Sequence, residues 1–153
     1  PDVASYASRP EMSAFKVTDR ILDGLEKNKY DFILVNFANP DMVGHTGNLA
    51  AGIKACEAVD QCLSKIYQKI KEKKGTLIVT ADHGNAEEMI DIETGEVDTQ
   101  HSSFPVPFII INTNGKKYNL KSNGVLGNVA PTILDLLDKD KPKEMNLGSL
   151  IKK

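Results

Sequence analysis

Short apolar runs separated by longer helical patterns are the feature that most constrains the fold of this chain. The runs "DFILVNF" (31–37), "TLIVT" (76–80) and "PFIIIN" (107–112) are rich in β-branched residues, which is typical of strands covered on both faces. Apolar residues at helical spacing predict a long helix over 48–73. Because strand–helix–strand crossovers are right-handed, the alternation predicts an α/β three-layer sandwich, with a mostly parallel sheet and helices on both faces.

Four further elements are predicted. "VASYA" (3–7) reads as a first strand, and a helix follows from Pro10, which suits a first helical turn, to the stretch 27–29 with its positively charged Lys27 and Lys29. A hairpin is expected around Thr94 and Gly95, and a last helix over 128–137. The side chains of that last helix predicted to face the core are Val129, Ile133, Leu134, Leu136 and Leu137.

Size and charge limit the possible partners. The 153 residues suffice for one domain, and 41% hydrophobic residues suffice for a core. The 19 basic and 21 acidic side chains give a formal net charge of −2 and are interspersed, so neither nucleic acid nor an anionic membrane is expected as a partner. No apolar run approaches the roughly 20 residues that span a bilayer. We expect a soluble, cytoplasmic protein, and the start at Pro1 rather than Met suggests a piece of a longer one.

The two cysteines, Cys56 and Cys62, lie six residues apart within the long helical pattern. That spacing fits neither a zinc knuckle nor the disulfide framework of a small secreted domain. Free cysteine behaves as a small hydrophobic residue. Two reduced thiols on one helix are therefore predicted.

Acidic and imidazole side chains follow two of the predicted strands. Asp41 and His45 come after the run 31–37, and Asp82 and His83 come directly after 76–80. The last histidine, His101, precedes the run 107–112, so all three histidines are predicted in loops. Since ligands gather at the carboxyl ends of strands in open α/β sheets, these side chains are expected to converge. Three imidazoles with carboxylates, and no thiolate cluster, suit a divalent ion of the Mn, Zn or Fe type.

Simpler interpretations exist for each residue taken alone. An aspartate after a strand is most often a helix cap or an Asx-turn, and a lone loop histidine is usually solvated. Two such pairs at two strand ends, with glycines that let the backbone approach a ligand, favour a metal site. Ser102 and Ser103 suggest a nucleophile pair, but no G-x-S-x-G motif is present. Glu87 and Glu88 receive no predicted role.

Seven segments carry a resemblance to a known family: "PEMSA", "NFANPDMVGHTG", "EAVDQCL", "TADHGNAEEM", "HSSFPVPFI", "LGNVAPTILDLL" and "PKEMNLGSL". Together they resemble the carboxyl-terminal part of the phosphatase-type domain of cofactor-independent (2,3-bisphosphoglycerate-independent) phosphoglycerate mutases, in the alkaline phosphatase superfamily. The resemblance covers essentially all of residues 1–153. It implies an isomerase of glycolysis and gluconeogenesis that interconverts 3-phosphoglycerate and 2-phosphoglycerate, as a cytoplasmic monomer without 2,3-bisphosphoglycerate.

The resemblance also implies a set of metal ligands. Two manganese ions are expected: Asp41, His45 and His101 resemble the ligands of one, and Asp82 and His83 resemble ligands of the other. In the family, an aspartate and a nucleophilic serine from the amino-terminal end complete the second site, and a separate transferase domain supplies most substrate-binding arginines. No catalytic serine is therefore assigned within this chain, and we expect it to be inactive alone.

The implied mechanism passes the phosphoryl group through a phosphoserine. One metal orients the serine hydroxyl and lowers its pKa, and the other neutralises phosphate oxygens. The chain departs from the family at Asp2 and Ala7, where a lysine and an aspartate are usual. This puts one positive contact to the phosphate in doubt, or suggests that the first residues are affected by where the chain was cut. A phosphopentomutase, a metal-dependent phosphatase and a non-catalytic scaffold remain alternatives.

Overall fold

The computed structural model describes residues 1–152 and divides the chain into two compact units. One unit is formed by Pro1–Asn114, and the other begins at Gly115 and includes the rest of the described chain. Four α-helices and two β-strands span the units: α1 Ala14–Glu26, α2 Asn39–Gly44, α3 Leu49–Glu72, β1 Thr76–Thr80, β2 Phe108–Asn112 and α4 Val129–Leu136. The mixed α/β composition predicted from the sequence is confirmed.

The long helix α3 matches its predicted range to within one residue at each end. The Asn48 side chain accepts a hydrogen bond from the backbone N–H of Ala51 at 3.0 Å and caps the first turn, as N-cap residues do. Lys69 and Lys71 lie in the last turn, where positive charge interacts favourably with the helix dipole. Cys56 and Cys62 are both free thiols on this helix, which confirms that prediction, and partial burial raises the pKa of Cys56.

The buried face of α3 is formed mostly by small residues, together with Ile66. Leu49 and Ile53 are 64% and 53% exposed. The helix packs against α1 and α2, and small side chains allow such neighbours to approach closely. The buried positions are Ala51, Gly52, Ala55, Ala58, Cys62 and Ile66.

Helix α1 begins later than predicted. Met12 has a φ of 45°, a left-handed conformation that a helical residue cannot adopt, so Pro10 lies before the helix and Ala14 is its first residue. Inside the helix, the Thr18 hydroxyl donates to the carbonyl oxygen of Ala14 at 2.9 Å and is buried. The helix closes at Lys27, followed by Asn28 with a φ of 48°.

The strands β1 and β2 form at the predicted positions but pair antiparallel, with Ile78 opposite Ile110. Among residues 1–152, this two-stranded pair is the only sheet, so the predicted mostly parallel sheet is not formed by the described chain. The connection 81–107 contains no long helix that could cross over the sheet. It returns the chain instead through the expected hairpin, in which Ile90 pairs with Val97 and Gly95 has a φ of 73°.

Two predicted strands are absent from the structure. Ser5 caps a short 3₁₀ turn, Tyr6–Ser8, in place of the strand at 3–7. The run 31–37 has no ladder partner within the described chain, although its exposure alternates as in a strand. Phe32 and Leu34 are 48% and 83% exposed, whereas Ile33, Val35 and Phe37 are half-buried.

The second unit is organised around the buried Thr132 on α4. The Thr132 hydroxyl donates to the carbonyl oxygen of Asn128 at 2.7 Å and accepts from the backbone N–H of Leu150 at 2.8 Å. An isolated bridge pairs Leu120 with Ile151. Leu137, which was expected to face the core, follows the helix and is 40% exposed. None of the helices in residues 1–152 combines the length and apolar character needed to cross a bilayer.

An ion pair between α1 and α3 generates a prediction about acid stability. Lys69 Nζ donates to Glu26 Oε2 at 3.0 Å, and this hydrogen bond is the main reason why the pKa of Glu26 lies below its ordinary value of 4.5. A carboxyl group whose pKa is lower in the folded state stabilises that state above the unfolded-state pKa, and the contribution is lost as the pH falls through the folded-state pKa. We therefore expect Glu26→Gln to lower the free energy of unfolding at neutral pH, with the difference vanishing in acid.

Urea unfolding of both proteins across the acid range measures this effect. Glu57→Gln is the matched control, because Glu57 is an exposed residue of α3 for which residues 1–152 provide no ion pair. A difference between Glu26→Gln and the wild type that persists at low pH would contradict the assignment.

Candidate metal centre

Asp41 and His45 are placed by the short helix α2, and not by a loop as the sequence predicted. Pro40 lies at the start of this helix, Asp41 lies in its first turn and His45 is its C-cap residue. The backbone N–H of His45 donates to the carbonyl oxygen of Asp41 at 3.1 Å. Residues four apart lie on one face of a helical turn, and Asp41 Oδ1 is 3.3 Å from His45 Nε2.

His83 and His101 are brought together by a backbone pair between their loops. The N–H of Ser102 donates to the carbonyl oxygen of Gly84 at 3.0 Å, which forms an isolated antiparallel bridge. Each histidine is the neighbour of one bridged residue. Their rings stack with centroids 3.7 Å apart and planes 16° apart.

Three potential ligand atoms form a nearly equilateral triangle. His101 Nε2 is 3.4 Å from Asp41 Oδ1 and 3.2 Å from His45 Nε2, and the third side is the 3.3 Å contact between Asp41 and His45. In a shell with metal–ligand bonds of about 2.0–2.2 Å, adjacent ligand atoms at octahedral or tetrahedral angles lie roughly 2.8–3.6 Å apart. The triangle therefore has the dimensions of one face of a metal shell, and its carboxylate and imidazole donors suit a divalent ion.

His83 belongs to the same cluster. The ligand atoms of Asp41, His83 and His101 all lie within 4.8 Å of one another. Asp82, the partner expected for His83, has its Oδ1 3.8 Å from His83 Nε2, and its side chain is 67% exposed. The structure thus gathers Asp41, His45, His83 and His101 and leaves Asp82 at the exposed edge. The division of these side chains between two ions stays a prediction.

The cluster is open to solvent on one side. The side chains of Asp41, His45 and His83 are each about 30% exposed, and that of His101 is 48% exposed. Val43, by contrast, is fully buried beneath α2 together with Ala51 and Ala55 of α3. A small ligand can reach the cluster from solvent, while an apolar core fixes the helix that carries two of its members.

Asn85 and Glu87 also belong to the site, and sequence reasoning missed both. Asn85 is buried, and its Nδ2 donates to Asp41 Oδ1 at 2.7 Å. The Glu87 carboxylate accepts from the backbone N–H of Asn85 at 3.0 Å and from the Ser102 hydroxyl. The hydrogen bond from Ser102 is the main reason why the pKa of Glu87 is lowered. The sequence signal was the polar run "GNAEE" directly after the "DH" pair.

The contact with Glu87 also bears on the nucleophile suggested by the sequence. The Ser102 hydroxyl donates to the Glu87 carboxylate, which backbone N–H groups also hold. Among the described residues it has no hydrogen bond to a histidine. Ser102 therefore ties the loop of His101 to the loop of His83.

Comparison with known proteins agrees with this geometry. A model of the metalloenzyme superfamily matches residues 1–141, which include the whole cluster. The chain is 54% identical over 153 residues to a 2,3-bisphosphoglycerate-independent phosphoglycerate mutase of Clostridioides difficile and 52% identical over 152 residues to one of Clostridium botulinum. It covers 100% and 99% of its own length in these comparisons but only 30% of either relative.

A solved structure leads to the same family. Leishmania mexicana phosphoglycerate mutase, crystallised at low cobalt concentration, matches 99% of this chain with a TM-score of 0.88 and 32% identity, and the match covers 30% of that protein. A family model over most of the chain, and a carboxylate–imidazole cluster inside the matched region, thus point the same way: the chain belongs to the metalloenzyme superfamily.

Proposed function

We propose that this chain is part of a 2,3-bisphosphoglycerate-independent phosphoglycerate mutase that interconverts 3-phosphoglycerate and 2-phosphoglycerate. Residues 1–153 would form the carboxyl-terminal portion of its metal-binding phosphatase-type domain. The observation that carries the proposal is the triangle of Asp41 Oδ1, His45 Nε2 and His101 Nε2, with sides of 3.2–3.4 Å. It lies in a chain about half identical to enzymes with that name.

The three-layer sandwich with a mostly parallel sheet and helices on both faces is proposed for the complete phosphatase-type domain. The chain spans 30% of the length of the relatives it matches. The run 31–37 alternates exposed and half-buried side chains and lacks a ladder partner in the described chain. A strand of a buried parallel sheet would show these features when viewed without its neighbours, which the rest of the protein would supply.

Asp41, His45 and His101 would hold one divalent ion, and Asp82 and His83 would contribute to a second. Manganese is proposed for both, because imidazole and carboxylate donors suit ions of this type; the solved relative was crystallised with cobalt. When bound, such ions neutralise phosphate oxygens and lower the pKa of a coordinated hydroxyl group.

The chain's own residues hold the His45 and His101 imidazoles close together at the position proposed for the ion. His45 Nε2 and His101 Nε2 face each other at 3.2 Å, so two nitrogen atoms of the type that binds metal ions lie at one point. Asp41 supplies negative charge at the same point. This arrangement favours a cation at the position where the three atoms meet.

The substrate-binding and nucleophilic groups are proposed to lie elsewhere in the protein. This chain contains two arginines, Arg9 and Arg20. The mechanism requires a serine that accepts the phosphoryl group from one hydroxyl oxygen of the glycerate and returns it to the other. The Ser102 hydroxyl donates a hydrogen bond to Glu87, so we place the nucleophilic serine in the remainder of the protein. A small-molecule substrate, a cytoplasmic location and a monomeric state complete the proposal.

Removing one corner of the triangle should eliminate activity. We expect His45→Ala in the full-length protein to reduce mutase turnover by more than about 100-fold, the upper figure for losing only a hydrogen-bond partner of a metal ligand. The fold should persist, because His45 is the half-buried C-cap residue of α2 and does not belong to the apolar core. Conversion of 3-phosphoglycerate and the circular dichroism spectrum measure the two effects.

Lys54→Ala is the control for that experiment, since Lys54 is an exposed residue of α3. Its turnover should match the wild type. Normal turnover by His45→Ala would exclude His45 as a metal ligand. Phosphate release without 2-phosphoglycerate by the wild type would instead favour a metal-dependent phosphatase.

The 153-residue chain alone should bind a divalent ion but not isomerise phosphoglycerate. Asp41, His45 and His101 are all present and converge, whereas the proposed serine and substrate-binding arginines are not. Calorimetric titration with manganese measures binding, and an assay for 2-phosphoglycerate measures turnover, with the full-length protein as the positive control. Isomerisation by the chain alone would show that it contains the nucleophile and would return Ser102 and Ser103 as candidates.

A further inference from the structure

We propose that Asn85 is a positioning residue that fixes the Asp41 carboxylate in the metal centre, and that Gly44 is required because it makes room for the Asn85 side chain. The inference rests on the proposed function, since it concerns the same site. Asn85 Nδ2 donates to Asp41 Oδ1 at 2.7 Å and lies 3.1 Å from His45 Nε2. Asn85 thus contacts two of the three side chains that form the triangle.

The orientation of the Asn85 amide is determined by Asp41. Asn85 is 4% exposed, and its Oδ1 is buried without a hydrogen-bond partner within residues 1–152. If the amide were rotated by half a turn, its oxygen would face the carboxylate oxygen of Asp41 and repel it. The Asn85 oxygen thus stays without a hydrogen bond while the NH2 group donates to Asp41. Buried polar atoms normally have hydrogen-bond partners, so the unpaired oxygen indicates that the contact with Asp41 determines the orientation.

The backbone of Asn85 is held independently of its side chain. Its N–H donates to Glu87 Oε2 at 3.0 Å, and Glu87 in turn accepts from Ser102, next to His101. Asn85 thereby connects the helix of Asp41 and His45 to the loops that carry His83 and His101. Metal ligands are commonly oriented by such hydrogen-bond partners, and loss of one typically weakens metal binding about 10–100-fold.

Gly44 provides a second, independent observation about the contact between Asn85 and Asp41. A Cβ atom added at Gly44 would overlap Asn85 Oδ1 and lie 3.1 Å from Asn85 Cγ. Gly44 is the last residue of α2 and has no positive φ, so its backbone does not require glycine. In an ordinary helix, replacement of glycine by alanine is favourable. Here it should displace the Asn85 amide from Asp41.

The test measures Mn²⁺ affinity of the metal-depleted full-length protein, by electron paramagnetic resonance of the free ion. Asn85→Leu retains the size of the side chain and removes the donor, and Gly44→Ala retains the donor and removes its space. Each should raise the dissociation constant about 10–100-fold. Thr132→Val is the control: it deletes hydrogen bonds of an equally buried residue in the other unit and should leave the dissociation constant unchanged.

A double-mutant cycle tests the contact between the two residues. Asn85→Ala removes the side chain that the new Cβ would strike, so Gly44→Ala should have no further effect on Mn²⁺ affinity in that background. Additive effects of the two substitutions would overturn the assignment of Gly44. The visible spectrum of the Co²⁺-loaded protein gives a second readout, because a displaced carboxylate alters the ligand field, whereas Thr132→Val should leave the spectrum unchanged.

His45→Ala separates this inference from the proposed function. If His45→Ala binds Mn²⁺ as the wild type does, the assignment of the metal centre is wrong. If His45→Ala loses affinity but Asn85→Leu and Asn85→Ala retain both wild-type affinity and the Co²⁺ spectrum, the centre stands and the role of Asn85 is refuted.

Discussion

The backbone pair between Gly84 and Ser102 is the constraint on which the candidate site depends. It joins the loop that follows β1 to the loop that precedes β2, and it places His83 beside His101. A Cβ atom at Gly84 would overlap the side-chain oxygens of Glu87 and Ser102, so glycine at that position leaves room for the hydrogen bond between them. The antiparallel register of β1 and β2 brings the same two loops to one end of the sheet. One bridge and one strand pair therefore bring His83 and His101 together, and the hydrogen bond from Asn85 to Asp41 joins these loops to α2.

The identity of the clustered residues could be predicted from the sequence, but their support could not. The Asp–His pairs near strand ends can be recognised directly in the amino-acid sequence, and the chemistry of carboxylate and imidazole indicates a divalent ion. The α2 helix was missed because its six residues are too short to show a helical period, although Pro40 and Asp41 are typical of a first turn. Asn85 was missed because its importance arises from a contact with Asp41, 44 residues away.

The fold shows the same division between local and distant causes. Helix α3 was predicted to within a residue because its cap and charges lie in its own sequence. The positions of strands β1 and β2 were also predicted correctly. A short β-branched run needs one neighbouring strand to form a ladder, and each of these two strands provides the neighbour of the other. Whether that partner runs parallel or antiparallel depends on the path of the connection 81–107. An apolar run alone does not encode that path.

The run 31–37 shows how a correct local pattern can fail to give a strand. Its side chains alternate in exposure as a strand's do, but a strand is defined by hydrogen bonds to a neighbour, and the described chain offers none at this position. The candidate metal centre does not depend on a missing neighbour in this way. The hydrogen bonds and the backbone bridge that orient Asp41, Asn85 and the His101 loop all join residues between 41 and 102. The triangle of Asp41, His45 and His101 atoms is therefore held by contacts within one compact unit, while the exposed Asp82 lacks comparable support within residues 1–152.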